Sequence, residues 1–394
     1  MRVAFYAPMK APDHPVPSGD RRMARALLGL LESLGHEVEL ASRLRSYDRL
    51  GVPARQERLH ALGLQLAARL VRRYRQRPAQ QRPRLWFTYH LYHKAPDWLG
   101  PEVSRALAIP YCVAEASVAT RQARGPWAVG HAASREAIAR ADLVLAMTTK
   151  DEAGLRSLVP GPRRLEPFPP FLDTAPFVAA SAGRETTRAR LAATRGLDAG
   201  RPWLLAVAMM RDDVKRLSYA LLAAALHELL TLDWQLVIVG AGPAEHAIRR
   251  LFEGALVERV RFTGLLAPEA LAEVYAAADL FVWPACGEAY GMALLEAQAA
   301  AVPVVAGAEG GVPDIVAAGT AGLLVEGRAP RAFAAAVAAL LNDPERRRAM
   351  GRAAQRRTVE RHGLLAAQER LDAMLARLGG GADAKAERST CASA

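Results

Sequence analysis

The chain alternates short apolar runs with stretches of helical spacing, and the alternation starts at its first residues. Val3-Ala-Phe-Tyr-Ala7 has the pattern of a buried strand and is ended by Pro8. A loop rich in Gly, Pro and Asp occupies residues 12–20. Residues 22–34 then place Met23, Ala26, Leu27, Leu30, Leu31 and Leu34 on one helical face, and Gly35 stands where a helix would stop. Val38-Glu-Leu-Ala41 is the next strand. This β–loop–α–β opening predicts the first unit of a parallel, doubly wound sheet.

The same alternation predicts strands over residues 85–89, 110–114 and 143–147, with helices between them; residues 57–74 form one of the clearest. Residues 160–177 carry six prolines and little periodicity, the composition of a linker. A second α/β series begins at Trp203-Leu-Leu-Ala-Val-Ala208. It runs through strands at 235–239, 261–262, 280–283 and 302–306, with helices over 218–231, 244–253, 268–277 and 291–301. Helices over 329–341 and 346–378 follow, and Gly379-Gly-Gly381 opens a small-residue tail, 379–394, expected to be disordered. The chain therefore reads as two Rossmann-like domains, residues 1–178 and 179–363, with a helix at about 364–378 expected to pack back on the first. Ligands of such sheets bind outside the carboxyl ends of the strands. A nucleotide held by the second domain and an acceptor held by the first, in a cleft between them, is the expected geometry.

Composition narrows the class. A chain of 394 residues exceeds one ordinary core. No apolar run reaches the ~18–20 residues needed to cross a bilayer; the longest, residues 294–307, is interrupted by Gln298 and Pro303. The first residues read as a strand rather than a signal peptide. Cys112, Cys286 and Cys391 are far apart and lack metal-ligand spacing, as in a cytoplasmic protein with reduced thiols. The net charge of +12 is uneven: residues 1–180 hold 27 Lys and Arg against 16 Asp and Glu, and the rest hold 25 against 24.

Candidate chemistry gathers in the second half, where four polar features follow successive strands. They are Arg211-Asp-Asp-Val-Lys215-Arg216, Gly240-Ala-Gly242-Pro243, Thr263-Gly264, and the segment from Glu288 to Glu296. Features after successive parallel strands converge on one edge of the sheet. Two cations there can neutralise a diphosphate, and glycines allow close backbone approach. Gly291 is placed to open a helix, so Glu288 stands in the preceding loop and the amides of Gly291, Met292 and Ala293 face outward. Glu296 lies in an otherwise small and apolar helix, where a charge is costly unless it is paired or bound. Its carboxylate suits a vicinal diol such as a ribose. Asp212 and Asp213 are adjacent, point to different sides and have no third ligand nearby, so they read as a solvated loop rather than a metal site.

Trp283-Pro-x3-Glu288-Ala-Tyr-Gly-Met-x2-Leu-Glu296-Ala, followed by Pro303-Val-Val-Ala306 and Gly310-Gly-Val-Pro-Asp314, resembles the GT-B glycosyltransferases of family 4. Val239-Gly-Ala-Gly-Pro243, Phe262-Thr-Gly264 and the Tyr275-Ala-Ala-Ala-Asp-Leu280 run match as well. The likeness spans the second domain and is weaker in the first. It implies a retaining, metal-independent transfer from a nucleotide diphosphate sugar, with no cofactor, across an interdomain cleft. By the same resemblance Glu296 would bind the ribose and Glu288 the transferred sugar. The amides from Tyr290 to Ala293 would contact sugar and phosphate, and Arg211 and Lys215 would hold the diphosphate as charge develops on it. The Arg–Lys spacing is one residue shorter than the commonest pattern, which makes Arg216 an alternative to Lys215.

In the first domain, Ser18-Gly19-Asp20 resembles the family's glycine loop. Glu115 occupies the place where the family often has a histidine, and His90 and His93 follow the preceding strand. His90 and Glu115 are the acceptor-side candidates. Between Arg55 and Arg77, Leu59, Leu62, Leu66, Leu70 and Tyr74 recur at helical spacing, with Arg58, Arg69, Arg72, Arg73, Arg75 and Arg77 between them. This describes a helix with an arginine-rich solvent face. The sharper reading makes residues 55–84 a peripheral contact with anionic lipid at the inner membrane face. No recognition motif or aromatic series accompanies the charge, so nucleic acid is not an expected partner. Other readings of the chain are a sugar-nucleotide epimerase, a glycan phosphorylase, and a nucleotide-sugar binding protein without catalysis. A dinucleotide oxidoreductase is disfavoured because Gly240-Ala-Gly242 lacks the third glycine of that fingerprint.

Overall fold

The computed structural model describes residues 1–391 except Pro17 and Pro162, with side chains as far as Leu378. The chain divides into two compact units, one of Met1–Pro169 with Ala367–Ala394, the other of Pro170–Ala366.

The first unit alternates β1 (Arg2–Tyr6), α1 (Gly19–Ser33), β2 (Glu37–Ser42), α2 (Pro53–Gln76), β3 (Leu85–Leu91) and α3 (Gly100–Leu107). It continues with β4 (Tyr111–Ala116), α4 (Ala128–Arg140), β5 (Leu143–Ala146), α5 (Thr149–Leu155) and β6 (Leu165–Pro167). The strands form one parallel sheet in the order β2-β1-β3-β4-β5-β6. Phe5, Phe87, Val113 and Val144 are fully buried, as expected of strands covered by helices on both faces. The order reverses at β1, whose successor β2 lies on one side and β3 on the other. The carboxyl ends of β1 and β3 are therefore a topological switch point, where such sheets take ligands.

A buried carboxylate fixes the turn from β3 into α3. Asp97 accepts hydrogen bonds from the amides of Leu99 (2.8 Å) and Gly100 (2.7 Å), from the Thr88 hydroxyl (2.6 Å) and from the Tyr111 hydroxyl (2.9 Å). Burial nevertheless raises its pKa above the usual carboxylate range.

The second unit contains α6 (Ala175–Ala182), α7 (Arg184–Arg195), β7 (Trp203–Val207), α8 (Val214–His227), β8 (Gln235–Val239), α9 (Glu245–Arg250) and β9 (Val260–Gly264). After these come α10 (Pro268–Ala277), β10 (Leu280–Trp283), α11 (Met292–Ala299), β11 (Val304–Gly307), α12 (Val312–Ile315), β12 (Gly322–Val325), α13 (Pro330–Leu341) and α14 (Pro344–His362). Its parallel sheet has the order β12-β11-β10-β7-β8-β9. The reversal is at β7, so the switch point lies between β7 and β10. The last helix, α15 (Leu364–Cys391), returns to the first unit from residue 367. There Gln368 donates to the Ser33 hydroxyl at 2.8 Å and Arg377 pairs with Glu166 at 2.7 Å.

The structure differs from the sequence reading in two places. The division falls after Pro169 rather than after residue 178, because Phe177 on α6 packs edge-on against Tyr275 of the second unit, 5.7 Å between centroids. The helical stretch 346–378 is broken at Gly363, which runs extended and pairs with Leu172; the Leu172 amide donates to the His362 carbonyl. A Cβ at Gly363 would meet the Val359 carbonyl oxygen at 2.4 Å, so no larger residue fits this break without movement. The tail 379–394, expected to be disordered, lies outside the residues whose side chains are described.

Candidate active site

In the second unit, two predicted residues meet directly. Lys215, in the first turn of α8, forms an ion pair with Glu288, in the loop between β10 and α11; their side chains are 14% and 17% exposed. Because α8 follows β7 and the loop follows β10, the pair spans the switch point. Trp283, at the end of β10, completes the cluster. Its indole N–H donates to the same Glu288 oxygen at 3.4 Å, and the Lys215 ammonium lies 5.5 Å from its ring centroid. Tyr219 braces that indole edge-on at 5.0 Å.

The Glu288 loop is tied down on several sides. The Ser218 hydroxyl accepts from the Cys286 amide at 3.0 Å, Glu309 accepts from the Gly287 amide at 2.8 Å, and the Ala289 carbonyl accepts from the Gly311 amide at 2.6 Å. Arg328 pairs with Glu309 at 2.7 Å and holds its carboxyl below the usual range. Gly310 approaches so closely that a Cβ there would lie 1.9 Å from the Glu288 carbonyl oxygen. Ala285 adopts a left-handed backbone (φ 56°), a conformation few non-glycine residues take. The loop is thus held in one shape by its neighbours.

Other predicted residues are enclosed within the unit or face outward. Glu296 is 1% exposed and accepts from the Tyr275 hydroxyl at 2.8 Å, so the carboxylate expected to present itself to a ligand is enclosed beneath the surface. Gly240 and Gly242 permit a close approach, but to the chain after β7: a Cβ would lie 2.0 Å from the Ala208 carbonyl oxygen and 2.3 Å from that of Met210. The Thr263 hydroxyl donates to the Gly264 carbonyl at 3.1 Å, and the Gly240 amide donates to that same carbonyl at 3.0 Å. Arg216 pairs with Asp212 (2.7 Å) and Arg211 with Asp213 (3.2 Å), all four well exposed. Of the two alternatives, it is Lys215 that meets Glu288. Gly291 caps α11, Tyr290 is buried, and Met292 and Ala293 open the helix with partly exposed side chains; first-turn amides have no partner within a helix. Among the described residues, no cluster of His, Cys, Asp and Glu could hold a metal ion.

The first unit carries a second charged cluster at its own switch point. His90, in β3, lies 3.1 Å from Asp20 in the first turn of α1 and 3.7 Å from Glu115 in β4, both through Nδ1. Glu115 and Asp20 push the His90 pKa up to about 9, against the opposing effect of burial. Burial raises the Glu115 pKa, with His90 opposing it. Contact with His90 lowers that of Asp20 despite burial. His93 does not join them: it packs edge-on against Trp127 at 5.8 Å, and burial together with Lys94 lowers its pKa to about 4. Gly19 starts α1 with open space where a Cβ would stand, and the Ser18 hydroxyl caps that helix.

Residues 188–357, which include Lys215, Trp283 and Glu288, match the model of the family described as "Glycosyl transferases group 1". The chain is 35% identical over 234 residues to a D-inositol 3-phosphate glycosyltransferase of Salinispora tropica, covering 56% of this chain and 48% of that protein. It is 43% identical over 135 residues to a Corynebacterium glutamicum GDP-mannose-dependent monoacylated alpha-(1-6)-phosphatidylinositol monomannoside mannosyltransferase, covering 32% and 35%. The chain thus spans about half the length, or less, of these curated relatives. Among solved structures, sucrose-phosphate synthase from Thermosynechococcus elongatus superposes with a TM-score of 0.72 at 23% identity, over 96% of this chain and 99% of that one. The Anabaena protein HepE in complex with UDP gives 0.71 at 16% identity, over 96% and 100%. Likenesses at this identity establish the fold, two α/β units of the GT-B type.

Several residues that build the surroundings of the Lys215–Glu288 pair carried weak sequence signals. Ser218 read only as the start of a helix. Glu309 and Arg328 are 19 residues apart, with nothing in the spacing to link them. In the first unit, Asp20 was legible only as a neighbour of Gly19.

Proposed function

We propose that the protein is a retaining glycosyltransferase that moves a hexosyl or N-acetylhexosaminyl group from a nucleotide diphosphate sugar to a hydroxyl acceptor, without a metal. The observation that carries this reading is the Lys215–Glu288 pair at the switch point of the group 1 domain, backed by Trp283. Lys215 would turn to the donor diphosphate and stabilise it as it leaves. Glu288, relieved of its counter-ion, would accept hydrogen bonds from hydroxyls of the transferred sugar. The first amides of α11 would contact phosphate or sugar oxygens, Arg211 would add charge from the exposed loop, and Glu296 would support α11 and the ribose from below.

On the acceptor side, His90 and Glu115 are the groups we assign. The matched relatives are named for a cyclitol phosphate and for a phosphatidylinositol mannoside, so a polyol acceptor is the class we favour. Thermal unfolding against UDP-, GDP- and ADP-sugars tests the donor side, because a ligand held by the native state raises the midpoint. A rise with one family of donors, followed by release of the nucleoside diphosphate together with a glycosylated acceptor, supports transfer. No rise with any of them sinks the reading.

A membrane contact has its own observation. Arg58, Arg69 and Arg72 on the outer face of α2 are exposed and have no ion pair among the described residues. Leu50, Leu62 and Leu64 nearby in the chain are exposed as well. Cations interleaved with exposed leucines suit anionic headgroups over hydrocarbon. No helix among the described residues is long and apolar enough to cross a membrane. Co-sedimentation with vesicles should rise with anionic lipid content and fall with salt; indifference to both counts against this contact.

A further inference from the structure

β3 and β4 are buried along their whole length except at two positions, His90 and Glu115. The pairing register sets Tyr89 beside Ala114 and Leu91 beside Ala116, so His90 and Glu115 are neighbours across the sheet. Both have left-handed backbones, φ 63° and φ 57°. For two adjacent non-glycine residues in the middle of a parallel sheet this is costly, and such strain persists only where the surroundings enforce it. Its effect here is to break the alternation of both strands at the same level, so that two polar side chains meet where all their strand neighbours are apolar and enclosed. Asp20 reaches the same point from the first turn of α1, and the three side chains remain 19%, 13% and 26% exposed for His90, Glu115 and Asp20.

Both carboxylates approach Nδ1 of His90, which leaves Nε2 on the far side of the ring. We propose that Asp20 is a positioning residue: with Glu115 it holds His90 as an imidazolium and aims the Nε2–H donor at a ligand hydroxyl, while Glu115 accepts from the neighbouring hydroxyl of the same ring. A donor and an acceptor side by side fit a vicinal diol, so the ligand class is a polyhydroxylated ring, a hexose or a cyclitol. The groups that bear on the charge of His90 are Asp20 on α1, Glu115 on β4 and Asp151 on α5; Lys10 acts on Asp20. Three carboxylates around one imidazole favour its charged form. The ligand class rests on the transferase reading above, whereas the positioning role of Asp20 rests on the contacts alone.

The test uses the full-length protein labelled with 15N, following the imidazole resonances of His90 assigned with His90→Gln. In the wild type the ring should stay protonated beyond pH 8. Asp20→Asn should lower its midpoint by about one pH unit or more, and Asp20→Glu should keep it within about half a pH unit of the wild type. A wild-type midpoint near 6.5, or one unmoved by Asp20→Asn, overturns the positioning role. Titration with myo-inositol and with glucose should then shift the His90 resonances in the wild type and not in Glu115→Gln. No shift with either sugar at saturating concentration overturns the ligand class. Calorimetry with nucleoside diphosphates, read alongside, reports on the second unit, so a failed transferase reading and a failed Asp20 assignment give different patterns.

Discussion

Lys215 and Glu288, 73 residues apart in sequence, are each other's counter-ion. On the proposed function one would hold the donor's diphosphate and the other its sugar, so the two would have to part before a donor is bound.

This sets up opposite effects for two substitutions. Lys215→Ala should weaken nucleoside diphosphate binding about ten- to hundredfold, the scale of a lost charged hydrogen bond. Glu288→Gln should leave that affinity equal or a few-fold tighter, because the competing carboxylate is gone, while sugar transfer falls steeply. Calorimetry and a rate assay read the two arms. Weaker nucleotide binding in Glu288→Gln would contradict the competition.

Gly310→Ala should act through the loop rather than through any ligand contact. Its Cβ would fall 1.9 Å from the Glu288 carbonyl oxygen at a residue with φ 61°, so the loop or Gly310 must move. The cost is about 2 kcal/mol or more, and Glu288 should be displaced from Lys215. Chemical denaturation gives the first effect, and loss of donor-dependent stabilisation the second.

Stability should depend on pH through His90. Its folded pKa of about 9 lies above the ordinary value near 6.5, so the imidazolium favours the native state. That contribution is complete below about pH 6.5 and is lost as pH rises through about 9. The stability gap between wild type and His90→Gln should therefore narrow across this window. A gap that is flat or widening over the same range would contradict the Asp20 and Glu115 contacts.

Asp97→Ala removes the acceptor of four hydrogen bonds in a closed site, and leaves the Leu99 and Gly100 amides and the Tyr111 hydroxyl without that partner. A loss of about 3 kcal/mol is expected, seen as a lower melting temperature. Asp97→Asn should lose less, since its carbonyl still accepts.

The fold was legible because periodicity is a local property: strands such as 235–239 and helices such as 268–277 announce themselves within a few residues. The start of α11 was legible for a related reason, since Glu288 and Gly291 sit together in one loop and helix start. Partnerships across the sheet were not. Lys215 is joined to Glu288 only by strand order, and Tyr275 reaches Glu296 from another helix. Nothing in the spacing told that Gly240 and Gly242 make room for the backbone at Ala208 and Met210. In the first unit, the left-handed backbones of His90 and Glu115 depend on their being neighbours across the sheet, and no pattern along either strand encodes that. The break at Gly363 was likewise hidden, because residues on both sides keep helical spacing.

That break has a consequence for how the molecule is made. After Gly363 the chain returns to the first unit, so that unit is assembled from residues synthesised both before and after the second. The second unit, continuous from Pro170 to Ala366, emerges complete while its predecessor still lacks a helix. Domain order in folding therefore need not follow order of synthesis: the second unit can finish first, and the earlier one waits with the surface around Ser33 and Glu166 uncovered until α15 leaves the ribosome.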